Sequence, residues 1–174
     1  MANRFPSHYP DIGVLGEEVV AQWLQSKGWI ILHRRWRCRW GEIDIIARTE
    51  VPSLPAPTKL KTLSPPTPFL AFVEVKTRSR GNWDAGGLLS ITSQKQAKIW
   101  QTARYFLATY PDLADYPCRF DVALVSYQRL LTKQQQLAEV PVTLEIPKTF
   151  QLGEVLSLTG YQMMLQEYIP SAFD

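Results

Sequence analysis

The sequence predicts an α/β domain, a mixed sheet of about five strands flanked by helices. Five short apolar runs, bounded by Gly, Pro and polar clusters, read as strands. Apolar residues recur at helical spacing in two longer segments. The order is one helix, three strands, one helix and two strands, which interleaves helices with strands and predicts a mixed sheet.

The first helix runs from about Gly13 to Lys27, because apolar residues fall at 15, 19 and 23 and at 20 and 24, and Gly28 supplies a stop. Trp29 to Leu32 is a short, partly β-branched run and reads as the first strand; a basic stretch, Arg34-Arg35-Trp36-Arg37-Cys38-Arg39-Trp40, separates it from a second strand at Gly41 to Ala47. A hairpin joins the two. Residues 50–68 hold six of the thirteen prolines and read as a long loop inserted into one domain spanning residues 1–174. Phe69 to Thr77 is almost wholly apolar and is expected at the centre of the sheet. Ser93 followed by Gln96 has the form of a capping box and opens a second helix reaching about Tyr110. Phe120 to Val125 and residues 140–146 complete the expected strands, and 154–169 reads as a short C-terminal helix.

At 174 residues the chain is long enough to bury one core without disulfides. No apolar run approaches the ~20 residues that span a bilayer, and the N-terminus lacks the apolar core of a signal peptide, so a reducing cytoplasm is the expected setting. Cys38 and Cys118 form no CxxC pair and read as buried spectator thiols. His8 and His33 have no ligand spacing. The net charge of +3 hides an asymmetry: the first 104 residues hold 15 Lys and Arg against 8 Asp and Glu, net +7, and the remainder is net −4. A positive field on the half that carries the candidate chemistry suits a polyanionic partner.

Residues two apart in a strand share a face, so Glu74 and Lys76 point the same way, as do Glu42 and Asp44, with Ile43 and Ile45 opposite. Ionised groups in apolar strands cost free energy unless paired or bound to a metal. Carboxylates converging with a lysine suit phosphodiester hydrolysis, since hard oxygen ligands select Mg²⁺ or Mn²⁺. Asp44 and Glu74 are then the metal ligands, the Val75 carbonyl is a third oxygen and Glu42 an extra candidate. Lys76 orients the attacking water or stabilises charge on the phosphate. The alternative is structural: a satisfied Glu74–Lys76 pair, or a buried Asp44–Lys76 bridge. Glu17 lies on the helix face of Val20, Ala21 and Leu24; it either completes the acidic cluster or is a solvated residue favoured by the helix dipole. Arg35, Arg37 and Arg39, interleaved with Trp36 and Trp40, and a second group of Arg78, Arg80, Lys95 and Lys98, are the candidate nucleic-acid contacts.

A Glu on a first helix, then G-x-x-D, then E-x-K on an apolar strand resembles the RecB-like and Holliday-junction-resolvase branch of the PD-(D/E)XK nucleases. More closely, Gly16-Glu17, Trp36 to Ala47, Phe72 to Arg78, Lys95 and Arg119 to Val122 resemble the YraN-like family of bacterial proteins, over most of residues 13–126. The final Ile169 to Phe173 is similar to that family's ending, and the proline-rich insertion departs from its usual short hairpin. The resemblance implies the restriction-endonuclease-like fold, metal ligation by Asp44 and Glu74, and Lys76 as the catalytic lysine. Ile43 stands where the name-giving proline would be.

These readings make the chain a metal-dependent nuclease acting on DNA, including branched or recombination intermediates. A homodimer follows if the resolvase analogy extends to paired cuts. Two other functions compete with it: a nucleic-acid-binding module with the same fold and no turnover, and a protein-interaction scaffold, motivated by the six tryptophans and the proline-rich loop.

Overall fold

A computed structural model describes residues 11–49, 68–80, 91–130, 145–158 and 160–173. Along the chain these form α1 (Ile12–Ser26), β1 (Trp29–Cys38), β2 (Gly41–Thr49), β3 (Leu70–Ser79), α2 (Ser93–Thr109), a short 3-10 turn (Pro111–Leu113), β4 (Cys118–Arg129), β5 (Val155–Leu158) and β6 (Tyr161–Phe173). The sheet has six strands in the order β1-β2-β3-β4-β6-β5. Among the described strands only β3 and β4 are parallel, and α2 lies between them in sequence, as parallel neighbours require a long crossover. Every other neighbouring pair is antiparallel. The proline-rich insertion and most of the strand expected at 140–146 fall outside the described residues; Glu145 and Ile146 themselves are not in a strand.

The two helices cover opposite faces. Leu15, Val19, Val20 and Leu24 of α1 pack on Ile45, Ala47, Ala71, Val73, Ala123 and Val125. On the other face Ile99, Ala103 and Phe106 of α2 pack on Ile46, Leu70, Phe72, Phe120 and Val122. Burial on both sides explains why β3 reads as a continuous apolar run. The Asp11 side chain accepts from the Gly13 N–H (2.9 Å) to open α1, and Gly28, at φ +83°, lets the chain turn away after it. The second helix is capped one residue earlier than the capping box predicts: Thr92 accepts from the Lys95 N–H (3.3 Å), and Gln96 reaches back to the Ile91 carbonyl.

Three expectations need correction. Val155–Leu158 and Tyr161–Phe173 are paired strands instead of a helix: Leu156 and Leu158, then Tyr161, Met163 and Leu165, are buried at every second position within each strand, filling the α1 face of the sheet. Helical spacing and strand alternation coincide in so short a segment, and pairing with β4 selects the strand. The first strand does not stop at Leu32 but continues through the basic stretch to Cys38, along the open edge of the sheet where arginines reach solvent. Cys118 is exposed and Cys38 half-buried, so neither is a core thiol, and both are free.

Asp121, fully buried on β4, anchors the end of β6. It accepts from Arg119 Nε (3.0 Å), the Tyr168 hydroxyl (2.6 Å) and the Ser171 N–H (3.0 Å). Burial, and then the Asp121 charge, push the Tyr168 hydroxyl pKa upward. Among the described residues no helix is long and apolar enough to cross a membrane.

Helix α1 comes very close to β3 at Gly16, where a Cβ would stand 1.9 Å from Thr77 Oγ1 and 3.1 Å from Thr77 Cβ. Glycine is needed there for space. Replacing Gly16 by Ala is expected to destabilise the protein by about 1–3 kcal/mol through overpacking, outweighing a helix-propensity gain of about 1 kcal/mol. Urea denaturation of Gly16→Ala in the native and Thr77→Ala backgrounds checks this, with more than half of the loss recovered in the second.

Candidate active site

Pairing between β2 and β3 runs from Arg48–Leu70 to Ile45–Val73 and stops there. One residue further, the Asp44 carboxylate takes the place of a strand partner and accepts the Val75 N–H at 2.7 Å. Beyond this fork β3 continues paired with β4 alone, to Ser79. The break also reverses an alternation expected of β2. Ile43 packs in the α2-side core and Ile45 in the α1-side core, so the two do not share a face. Opposite Asp44, between the pairs Arg34–Ile45 and Trp36–Ile43, Arg35 adopts a left-handed backbone (φ +50°). That conformation is uncommon for a non-glycine residue, and strain of this kind gathers at functional sites.

Glu74, 5% exposed, lies at the fork on the face of α2. Its Oε1 accepts from Lys76 Nζ (2.7 Å) and lies 3.2 Å from Lys95 Nζ of α2. Its Oε2 is buried and has no hydrogen-bond partner. Glu17 comes from α1 and is buried, the first of its two expected placements, and its Oε2 is likewise without a hydrogen-bond partner, 3.7 Å from Arg35 Nε. Desolvation raises the Glu17 pKa against the opposing pull of Arg35 and Arg34. Asp44 shows the largest carboxylate effect: desolvation and then the Glu74 charge push it up to about 7, against the Val75 N–H and Lys95, which lower it. Val75 donates its N–H into the gap left by β2, and the carbonyl of a strand residue points to the same side as its N–H.

The other expected site residues are placed as follows. Glu42 turns to β1 and pairs with Arg37 Nε (2.9 Å) and Arg35 Nε (3.2 Å), away from Asp44 and Glu74. Burial would raise its pKa, but those two hydrogen bonds hold it below the ordinary carboxylate range. Arg35 and Arg37 are thus engaged with acids, while Arg39 lies over the Trp40 ring (4.9 Å). Arg80 Nη1 reaches Gln128 Oε1 (3.4 Å), Lys98 is exposed, and Arg78 follows Lys76 and Thr77 on β3. Lys95, an expected nucleic-acid contact, reaches Glu74. Its place in the first turn after the Thr92 cap was readable, but its partner depended on how the β3–β4 crossover folds back. Among the described residues no three His, Cys, Asp or Glu side chains stand close enough to hold a metal ion.

The arrangement is an acidic fork with two cations on one oxygen of Glu74 and two buried carboxylate oxygens lacking hydrogen bonds. Buried oxygens of this kind carry a desolvation cost that a hard divalent cation relieves. Asp44, Glu74 through Oε2, and the Val75 carbonyl have the donor chemistry for such an ion. Without metal, the raised Asp44 pKa makes the carboxylate a liability. The stability it contributes is fully present below its unfolded value, about 3.9, and is lost as pH rises through about 7. Asp44→Asn is therefore expected to match the native protein at pH 3 and to melt higher than it at pH 8.5, in thermal scans with chelator.

A model of the uncharacterised protein family UPF0102 matches residues 16–125, which include the whole fork. A UPF0102 protein of Trichodesmium erythraeum (strain IMS101) is 50% identical over 172 residues, covering 98% of this chain and 93% of the relative. One from Trichormus variabilis (strain ATCC 29413 / PCC 7937) is 53% identical over 164 residues, 94% of this chain and 95% of the relative. A third, from Synechocystis sp. (strain ATCC 27184 / PCC 6803 / Kazusa), is 44% identical over 163 residues, 94% and 97% of the two chains. By the extent of the match and the identity of relatives covered nearly end to end, the chain belongs to the UPF0102 family, the YraN-like proteins that its sequence resembles.

Proposed function

We propose that the protein is a metal-dependent nuclease of restriction-endonuclease-like fold that hydrolyses DNA phosphodiester bonds at the β2–β3 fork. The observation that carries this reading is the junction of Asp44, Glu74 and Lys76: a carboxylate ending a strand ladder, a second with one orphaned buried oxygen, and an ammonium 2.7 Å from the other oxygen. Asp44, Glu74 Oε2 and the Val75 carbonyl would hold Mg²⁺ or Mn²⁺. When bound, such an ion polarises a phosphoryl oxygen and makes a water acidic enough to attack near neutral pH.

The remaining roles belong to the chain itself. Lys76 Nζ, held by Glu74 Oε1, is positioned to orient the attacking water and to stabilise charge on the phosphate. Lys95 shares Glu74 Oε1 from α2, which leaves Oε2 without a protein partner. Glu17 adds negative charge from the α1 side, and Arg35 balances it there. The exposed arginines of β1 would contact the sugar-phosphate backbone.

A second reading is a nucleic-acid-binding module without turnover. It is favoured by the basic first 104 residues, net +7, and by the arginines exposed along β1. Labelled single-stranded, duplex, flapped and four-way DNA, incubated with Mg²⁺ or Mn²⁺, separates the two. Cleavage is expected to need the metal and to fall about a hundredfold or more in Glu74→Ala, Asp44→Ala and Lys76→Ala proteins that remain folded. Salt-dependent binding with no metal-dependent cutting would replace the nuclease by the binding module.

A further inference from the structure

Beside the fork lies a surface with a different chemistry. Trp40, Trp100 and Tyr105 are among the large hydrophobic side chains left exposed, at 42%, 44% and 46%. Two of the three share a groove. Trp40 and Tyr105 line one open groove of about 350 Å³ together with Arg104 and Ala108. Arg104 then crosses to Trp100, its guanidinium 5.7 Å from the ring centroid. On the far side of the groove Arg39 sits over Trp40. The β1–β2 turn is seated on α2 at this point, since a Cβ on Gly41 would come 3.3 Å from Thr102 Oγ1.

Isolated exposed aromatics need no explanation, but three on one helix and the turn seated on it, with an arginine over each tryptophan, do. Every nucleobase offers a π-face to an aromatic ring, and an arginine beside that ring meets the phosphate. A duplex hides its base faces; only unpaired nucleotides expose them. Sequence neighbours tie this surface to the candidate active site. Trp40 is four residues from Asp44 on the same β-hairpin, and Lys95, on Glu74, begins the helix that carries Lys98, Trp100, Arg104 and Tyr105. From Lys95 to Tyr105 is about 15 Å along the helix axis, a span of a few nucleotides.

We propose that this surface binds unpaired nucleotides, so that the substrates of the fork carry a single-stranded segment, as flaps, gaps and tails do. This rests on the nuclease reading and narrows it to a substrate class. A proline-rich peptide would also favour exposed aromatic rings. Arg39, Arg104 and the exposed Lys98 favour a polyanion instead.

The test is fluorescence anisotropy with labelled dT20 and with a blunt 20-base-pair duplex, in EDTA so that no cleavage occurs. The native protein is expected to bind dT20 more tightly than the duplex. Trp40→Ala/Trp100→Ala should weaken dT20 binding roughly tenfold or more, with less than a twofold change for the duplex. Trp40→Phe/Trp100→Phe keeps the aromatic faces and should retain most of the dT20 affinity, which separates stacking from a folding defect. Equal losses on both DNAs, no loss on either, native preference for the duplex, or binding of a polyproline peptide in place of dT20 would overturn the proposal. Because no metal is present, failure here leaves the cleavage reading standing, and selective dT20 binding by a protein that never cuts DNA does the reverse.

Discussion

The hydrogen bond from the Val75 N–H to the Asp44 carboxylate is the constraint on which the rest of the site depends. Buried backbone donors must be satisfied, and in a sheet interior the neighbouring strand ordinarily does this. Here a side chain does it, one residue past the last β2–β3 pair. The substitution lets β2 leave β3 without orphaning an amide, and it fixes Asp44 beside Glu74. It also moves Ile43 to the α2-side core while Ile45 stays on the α1 side. One hydrogen bond therefore ends a ladder, opens a gap and brings two carboxylates together.

The electrostatics of that gap follow from the two-layer packing around the sheet. α1 delivers Glu17 from one face and α2 delivers Lys95 from the other. Gly16, next to Glu17, allows α1 to approach β3 closely enough for this, at the position of Thr77. The result is a site poorly satisfied by protein groups alone. Asp44 is driven toward protonation, and buried oxygens of Glu17 and Glu74 lack hydrogen bonds. A purely structural salt bridge between Glu74 and Lys76 would leave these three effects unexplained. Stability given up locally in this way is the usual signature of a functional site.

Much of this was legible in the sequence. The first helix, the apolar β3 and the β2 segment announce themselves by periodicity, and Glu-x-Lys on β3 fixes the relation of Glu74 to Lys76. Glu17 could be placed on the buried face of α1 from its spacing to Val20, Ala21 and Leu24. What could not be read depended on long-range packing. The break in alternation at Asp44 follows from where β3 begins to run alone, and Lys95 meets Glu74 only after the crossover closes. The C-terminal hairpin was hidden because Leu156, Leu158 and Leu165 fit a short helix as well as a strand, until β4 offers its edge. The arginine-rich run stands apart from the strand Trp29 to Leu32 because charged residues end the apolar run there, whereas an edge position on the sheet tolerates them.

The central claim, that Asp44 and Glu74 are built to share a divalent cation, is tested most directly by an anomalous difference map from a crystal soaked in Mn²⁺. The account predicts one strong peak at the fork, in direct coordination with Asp44 and Glu74 Oε2 and adjacent to the Val75 carbonyl, and no peak there in Asp44→Asn crystals. Crystals soaked at saturating Mn²⁺ with Glu74 still held only by Lys76 and Lys95, and no density between it and Asp44, would contradict it.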